Sequence, residues 1–264
     1  MNITGRTRVQ FIIADPVAQV VATHVMNQRF DEDGFDVVSV PLHVRAEDLA
    51  LVISGIRQMH NVIGLGVTIP HKISIIPLLD ALTERARHIG SVNAIRRNAD
   101  GSLLGDNLDG PGFVAGMARC GVVFEGRHVH QFGAGGAGRA VAFSVAAAGA
   151  KELIIHNRTQ DRADALAQEV AAVSGHCNVR SGHFNPVDAD VIINTTSLGL
   201  FQNDAPLFDY ETLRREQCVV DIIMTPEITP LLAAAMARGC RIGLGKHMLA
   251  AQYPLVRQLL GLSE

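Results

Sequence analysis

Long apolar runs are missing from this chain of 264 residues. The longest, Ala140 to Ala148, is too short to cross a bilayer, which argues against a membrane protein. No block of Lys and Arg stands out and the formal net charge is −3, so nucleic acid and acidic membranes are poor partners. The first residues, Met1-Asn2-Ile3-Thr4-Gly5-Arg6, lack a charged head followed by an apolar core. No secretory signal is therefore expected, and a cytoplasmic protein is. Cysteine pairs are absent too: Cys120, Cys177, Cys218 and Cys240 are widely spaced and none forms C-x-x-C. Four reduced, mostly buried thiols are the expectation. The histidines are scattered; His128 and His130 share one face of a strand without a third ligand nearby, so no metal site is expected. Lysine is scarce: only Lys72, Lys151 and Lys246, against twenty arginines. A lysine inside a distinctive motif then draws notice, because an ammonium can be tuned to exchange a proton near neutrality and a guanidinium cannot.

What is present alternates. Strands are predicted at Val9 to Ala14, Phe35 to Val44 (broken by Pro41) and Val62 to Ile69, with helices over Pro16 to Arg29 and Glu47 to His60 and another opened by Pro70. Such alternation implies an α/β layer with a largely parallel sheet. Between Gly90 and Asp109 the texture changes to a hairpin, Val92 to Arg96 and Ser102 to Leu104, around the turn-rich Asn98-Ala99-Asp100-Gly101. A helix through Cys120 follows. A second α/β unit starts near Arg127, with strands at Glu152 to His156, Asp190 to Asn194, Val219 to Ile223 and Arg241 to Leu244, and helices at Asp161 to Val173 and Lys246 to Leu260.

The second unit opens on Gly133-Ala134-Gly135-Gly136-Ala137-Gly138, a G-x-G-x-x-G between the apolar run ending at Phe132 and a helix-forming run from Arg139. That context favours dinucleotide binding over an ordinary strand-to-helix turn. Gly133 allows a tight turn, Gly135 the approach of a pyrophosphate, and Gly138 close helix packing. Amide groups at the helix start attract the phosphates. At the tip of the next strand an acidic residue would select NAD. Here Asn157-Arg158-Thr159 stands there with Arg162 beyond, so Arg158 pairing with a 2′-phosphate makes NADP the better reading and NAD the lesser one. The bland alternative is a solvated basic turn with Asp161 capping the next helix.

A hydride carrier does not choose a substrate, so the reacting groups lie elsewhere. Oxidising an alcohol requires a base beside the hydroxyl. Gly66-Val67-Thr68-Ile69-Pro70-His71-Lys72 ends a strand and offers Thr68 and Lys72, while Asp109, at the start of a helix, is suited to orienting the ammonium.

Those blocks, with Leu82-Thr83-Glu84-Arg85-Ala86, Gly90-Ser91-Val92-Asn93, Gly105-Asp106-Asn107-Leu108-Asp109-Gly110 and Met248-Leu249-Ala250-Ala251-Gln252, resemble the shikimate dehydrogenase family over nearly the whole chain. The resemblance implies a catalytic Lys72 partnered by Asp109, with Thr68, Asn93 and Gln252 on substrate hydroxyls. The glycine loop, Asn157, Arg158, Thr159, Arg162 and Ile222 would hold the cofactor. It implies an α/β protein of two domains with a cleft between them. An N-terminal α/β substrate domain, 1–106, would be completed by the C-terminal helix, 246–264, and a Rossmann-type NADP-binding domain would span 107–245. Family members reversibly reduce 3-dehydroshikimate or a similar ring ketone with NADPH, less often NADH, and the chain is expected as a monomer or homodimer.

Five positions depart from the family pattern. Val20 and Ala22 follow Asp15-Pro16 where members carry two serines for the substrate carboxylate. Gly66 replaces an Asn, Leu108 a Thr and Met224 a Tyr. Loss of two hydrogen bonds to a charged group removes roughly 3 to 6 kcal/mol of binding unless something replaces them; Gln19, Thr23 and His24 are the candidates to do so. These changes imply a paralogue with weak shikimate activity or another polyol substrate. The other reading is a nucleotide-binding sensor that kept the fold after losing its substrate.

Overall fold

The structure, a computed structural model, describes residues 2–18, 20–201 and 203–262. The chain divides into two compact units, Met1–Leu108 with Tyr253–Glu264, and Asp109–Gln252.

The first unit runs β1 (Arg8–Ala14), α1 (Ala22–Glu32), β2 (Val37–His43), α2 (Leu49–Arg57), β3 (Val62–Val67), α3 (His71–Ser74), β4 (Ala81–Leu82), α4 (Glu84–Ile89), β5 (Ala94–Arg97) and β6 (Leu103–Asp106). Its sheet has the order β2-β1-β3-β5-β6-β4. β1 pairs in parallel with β2 and β3, whereas β5 is antiparallel to β3 and to β6, which is the expected hairpin. The sheet is therefore parallel only in part.

Two local expectations change. Pro41 does not break β2, which runs through it in register with Ile12. β2 is the outer strand of the sheet, where a residue without an N–H is tolerated. The first helix begins at Ala22 rather than Pro16, with no side chain capping it, and a turn between Val17 and Val20 comes before it. Apolar spacing in α2 is as expected: Leu49, Ile53 and Ile56 are buried and pack with Ile13, Leu65 and Ile95 of the sheet.

The second unit holds α5 (Asp109–Arg119), β7 (His128–Phe132), α6 (Gly136–Ala147), β8 (Glu152–His156), α7 (Gln160–Val173), β9 (Asn178–Ser181), β10 (Val191–Asn194), β11 (Cys218–Asp221), α8 (Pro230–Ala237) and β12 (Arg241–Leu244). Every pairing is parallel and the order is β12-β11-β10-β7-β8-β9. This is the dinucleotide-binding arrangement, with the reversal of strand order between β7 and β10. Central strands are apolar on both faces: Val191, Ile192 and Ile193 of β10 are all buried, as both-sided coverage by helices requires. The sequence reading missed β9 and α8. β9 is a short outer strand whose residues alternate between exposed and half-buried, and α8 is announced only by Thr229, which caps it by accepting from Leu232 N.

The last helix, α9 (Gly245–Leu259), contributes to both cores. Met248 packs with the cluster of Phe113 and Met117, while Tyr253 and Val256, with Leu260 just beyond the helix, pack with Met26 and Phe30. The Tyr253 hydroxyl donates to Asp33 at 2.7 Å, and Arg257 pairs with the same carboxylate at 2.7 Å. Residues 246–252 accordingly group with the second unit. All four cysteines are free thiols, two buried and two half-buried.

One pair of the scattered histidines is structural in an informative way. His130 of β7 and His156 of β8 stack with ring centroids 5.1 Å apart, and Phe184 meets both edge-on. His156 Nδ1 donates to the Gly182 carbonyl at 2.7 Å, so its Nε2 accepts from His130 Nδ1 at 3.0 Å. Among the described residues His130 Nε2, buried, has no hydrogen-bond partner. Burial pushes both imidazoles down to about 4. Their native pKa lies below the unfolded value near 6.5, so the unfolded chain binds more protons between those limits and stability falls as pH drops through that window. The expected loss is up to about 1.4 kcal/mol per pH unit for each ring. Urea unfolding at pH 7, 6 and 5 measures it, and a His130→Phe/His156→Phe variant should show a flatter profile; an equally steep one would count against the pair as the source.

Candidate active site

In the first unit three sequence blocks interlock around Asn93. Val67 N donates to Asn93 O at 2.8 Å and Val92 N donates to Lys72 O at 2.8 Å, which ties the end of β3 and the start of α3 to one stretch of backbone. Asn93 N donates to Asp106 O, and its Oδ1 accepts from Leu108 N at 2.7 Å. Asp106, 2 % exposed, accepts from Thr83 Oγ1 at 2.5 Å, from Arg85 at 2.8 and 2.5 Å and from Asn107 N at 2.7 Å. Asn107 Nδ2 in turn donates to Ser91 Oγ at 2.9 Å. A carboxylate this buried is stabilised only by such full saturation. Thr83, Arg85, Ser91 and Asn107 thus build the frame rather than the reacting surface.

α3 is a single turn, and its position comes from His71. That ring is fully buried and its Nε2 donates to Val44 O at 2.7 Å, while His71 N donates to Thr68 O. The half-buried Thr68 and Lys72 flank this anchor. Ile69 and Ile73 beside them are 68 % and 63 % exposed, an apolar rim around a lysine.

In the second unit Asp109 starts α5, is 7 % exposed, and accepts from Gln252 Nε2 at 3.2 Å. The structure therefore brings Asp109 and Gln252 together in one unit and Thr68, Lys72 and Asn93 together in the other.

The glycine loop lies at the carboxyl end of β7, at the switch in strand order. Gly133 has φ +108°, and Gly133 N donates to His156 O at 2.8 Å. A Cβ on Gly138 would run into the Gly133 carbonyl, so only glycine lets α6 start this close to the strand. That carbonyl accepts from Gln131 Nε2 at 2.9 Å and from Thr195 Oγ1 at 3.2 Å. Gly135 and Gly136 face open space, Ala134 N donates to Asn157 Oδ1 at 3.2 Å, and Ala137 lies in the first turn of α6. An open backbone at a helix start is what approach of a pyrophosphate demands, so the residues fit the dinucleotide. Arg158, Thr159 and Arg162 are exposed at the tip of β8, and among the described residues neither guanidinium is in an ion pair. Ile222, half-buried, follows β11 and donates its N–H to Asn194 O.

The sequence reading overlooked a polar network at the same edge. Asp221, fully buried, accepts from Asn194 Nδ2 at 3.0 Å, Thr229 Oγ1 at 2.8 Å and Ile223 N at 3.0 Å; burial raises its carboxyl despite these bonds. Asn194 Oδ1 also accepts from Thr196 N. The signal was the run Asn194-Thr195-Thr196-Ser197 directly after an apolar strand.

The departing positions take definite places. Val20 and Ala22 are half-buried, Ala22 as the first residue of α1. Thr23 is half-buried, His24 is exposed, and Gln19 lies outside the described residues. Asp15 Oδ1 is held by His43 Nε2 at 2.7 Å. Leu108 is 1 % exposed within the apolar cluster of Met26 and Tyr253, and Met224 is 47 % exposed. No group of three His, Cys, Asp or Glu among the described residues is placed to hold a metal ion, and no helix there is long and apolar enough to cross a membrane.

Residues 12–95 match the family described as shikimate dehydrogenase substrate binding domain, and residues 118–235 that described as shikimate/quinate 5-dehydrogenase. The chain is 39% identical over 263 residues to a shikimate dehydrogenase (NADP(+)) of Geobacter metallireducens, covering 96% of this chain and 90% of the relative. Among solved structures, a shikimate dehydrogenase in complex with NADP+ superposes with TM-score 0.92 at 33% identity, covering 100% of this chain and 93% of that one. The ligand-free 5-ketofructose reductase of a Gluconobacter species superposes with TM-score 0.89 at 32% identity, covering 98% and 95%. With its motif blocks in order and these likenesses over nearly its full length, the chain belongs to the shikimate dehydrogenase family.

Proposed function

We propose that this protein is an NADP-dependent oxidoreductase of the cytoplasm that reversibly interconverts a cyclic hydroxy acid of the shikimate or quinate type and its 3-keto form. The observation that carries the reading is the open glycine loop at the strand-order switch, with Arg158 and Arg162, neither in an ion pair among the described residues, just after the next strand. When bound, NADP supplies or accepts the hydride. The amide groups at the start of α6 hold its pyrophosphate, Asn157 braces the loop, and Arg158, with Thr159 and Arg162, recognises the 2′-phosphate through bidentate, charge-assisted bonds. Lys72 exchanges the proton with the substrate hydroxyl through Nζ, Asp109 orients that ammonium, and Thr68, Asn93 and Gln252 hold the ring hydroxyls. The frame around Asp106 supports this role, because it fixes the backbone on both sides of Asn93 before substrate arrives.

The absence of hydroxyls at Val20 and Ala22, together with the likeness to a 5-ketofructose reductase, favours a substrate without the full carboxylate contacts. Purified protein assayed against shikimate and quinate with NADP+ and NAD+, and against uncharged ketoses with NADPH and NADH, decides the substrate class, and cofactor binding with no turnover on any of them would leave the sensor reading instead. Lys72→Ala is expected to abolish turnover while changing the Kd for NADP less than twofold; near-normal turnover would exclude Lys72 as the proton-exchanging group. Arg158→Ala is expected to weaken NADP by about 1.5 to 3 kcal/mol, roughly 10- to 150-fold, and NAD far less, as read by KM for each cofactor.

A further inference from the structure

The strands of the second sheet end at the glycine loop, and their opposite ends frame a second feature. A cavity of about 500 Å³ lies there, lined by Arg127 just before β7, Asp190 just before β10, Cys218 at the start of β11 and Arg241 at the start of β12, with Arg215 beside them. The volume is within the range of small-molecule sites. Strands of four or five residues put it roughly 15 Å from the cofactor loop, so it is not an extension of that site.

Three arginines, Arg127, Arg215 and Arg241, line this space with two acids, Asp190 and Glu216. Among the described residues none of them is in an ion pair. Arg241 is fixed along one wall by its Nη1 donating to Gly121 O at 2.6 Å, and a Cβ at Gly121 would collide with that same nitrogen. Asp190 is partly engaged, since one carboxylate oxygen accepts from His128 N at 2.9 Å. Burial pushes the half-buried Cys218 thiol up, Asp190 adds to that, and the positive charges of Arg241 and Arg127 pull it down. Three arginines around one cavity outnumber its two acids and form no ion pair with them among the described residues, so they repel one another, and an oxyanion with several acceptor atoms relieves that repulsion by charge-assisted bonds.

We propose that this cavity binds a small organic anion carrying a phosphate ester or several carboxylates, at a site separate from cofactor and substrate. Isothermal titration of glycerol 3-phosphate and of citrate into protein saturated with NADP+ tests it, because the glycine loop is then occupied. One equivalent of at least one probe is expected to bind; tighter binding of the first marks a phosphate ligand and of the second a polycarboxylate. Arg127→Ala/Arg215→Ala, two exposed positions, is expected to weaken binding tenfold or more, and the single variant Arg215→Gln to weaken it in the same direction. Arg158→Ala, at the other end of the sheet, should leave it unchanged. Neither probe binding, or binding that persists undiminished in the double variant or vanishes with Arg158→Ala, would overturn the proposal.

Discussion

The carbonyl of Gly133 is the point on which the second unit depends. It accepts the Gln131 amide and the Thr195 hydroxyl, and it leaves room above it for glycine alone at position 138. Three chain segments, β7, α6 and the residues after β10, therefore meet at one peptide group. Side chains hold the turn from behind, and the backbone ahead of it at Gly135 and Gly136 borders open space. A phosphate-binding surface is preorganised when its donors need no rearrangement to meet the ligand, and here the rigidity is supplied on the face opposite the ligand.

The first unit solves a similar problem with a buried charge. Asp106 sits at the end of β6 in nearly complete burial, and its four donors come from α4, from the Thr83 that caps it and from the adjacent backbone. Removing any one partner leaves a carboxylate under-bonded in a low-dielectric setting, which costs more than the bond itself contributed. The motif residues Thr83, Arg85, Ser91 and Asn107 are explained by this frame. Asn93 and Lys72 are linked to it through backbone bonds, so the frame sets where their side chains start.

Against that retained frame the altered positions lie at its margin. Leu108 turns into the apolar core, Met224 faces solvent, and Val20 and Ala22 carry no hydroxyl at the entrance to α1. Frame and cofactor loop match the family pattern while these positions do not, which is the pattern expected when specificity drifts more readily than the frame that supports it.

Sequence alone determined the alternation of elements, the glycine loop with its basic tip, and the blocks around Lys72 and Asp109, because each is a property of spacing within a few residues. It could not show that Pro41 is tolerated, since that rests on β2 being the outer strand. Nor could it show that Gln131 and Thr195 brace the loop, that His130 and His156 stack, or that Arg127, Cys218 and Arg241 line one cavity. Tertiary structure decided these, because sheet order and register bring together residues tens of positions apart, and a buried polar group is satisfied by whichever neighbour that register delivers.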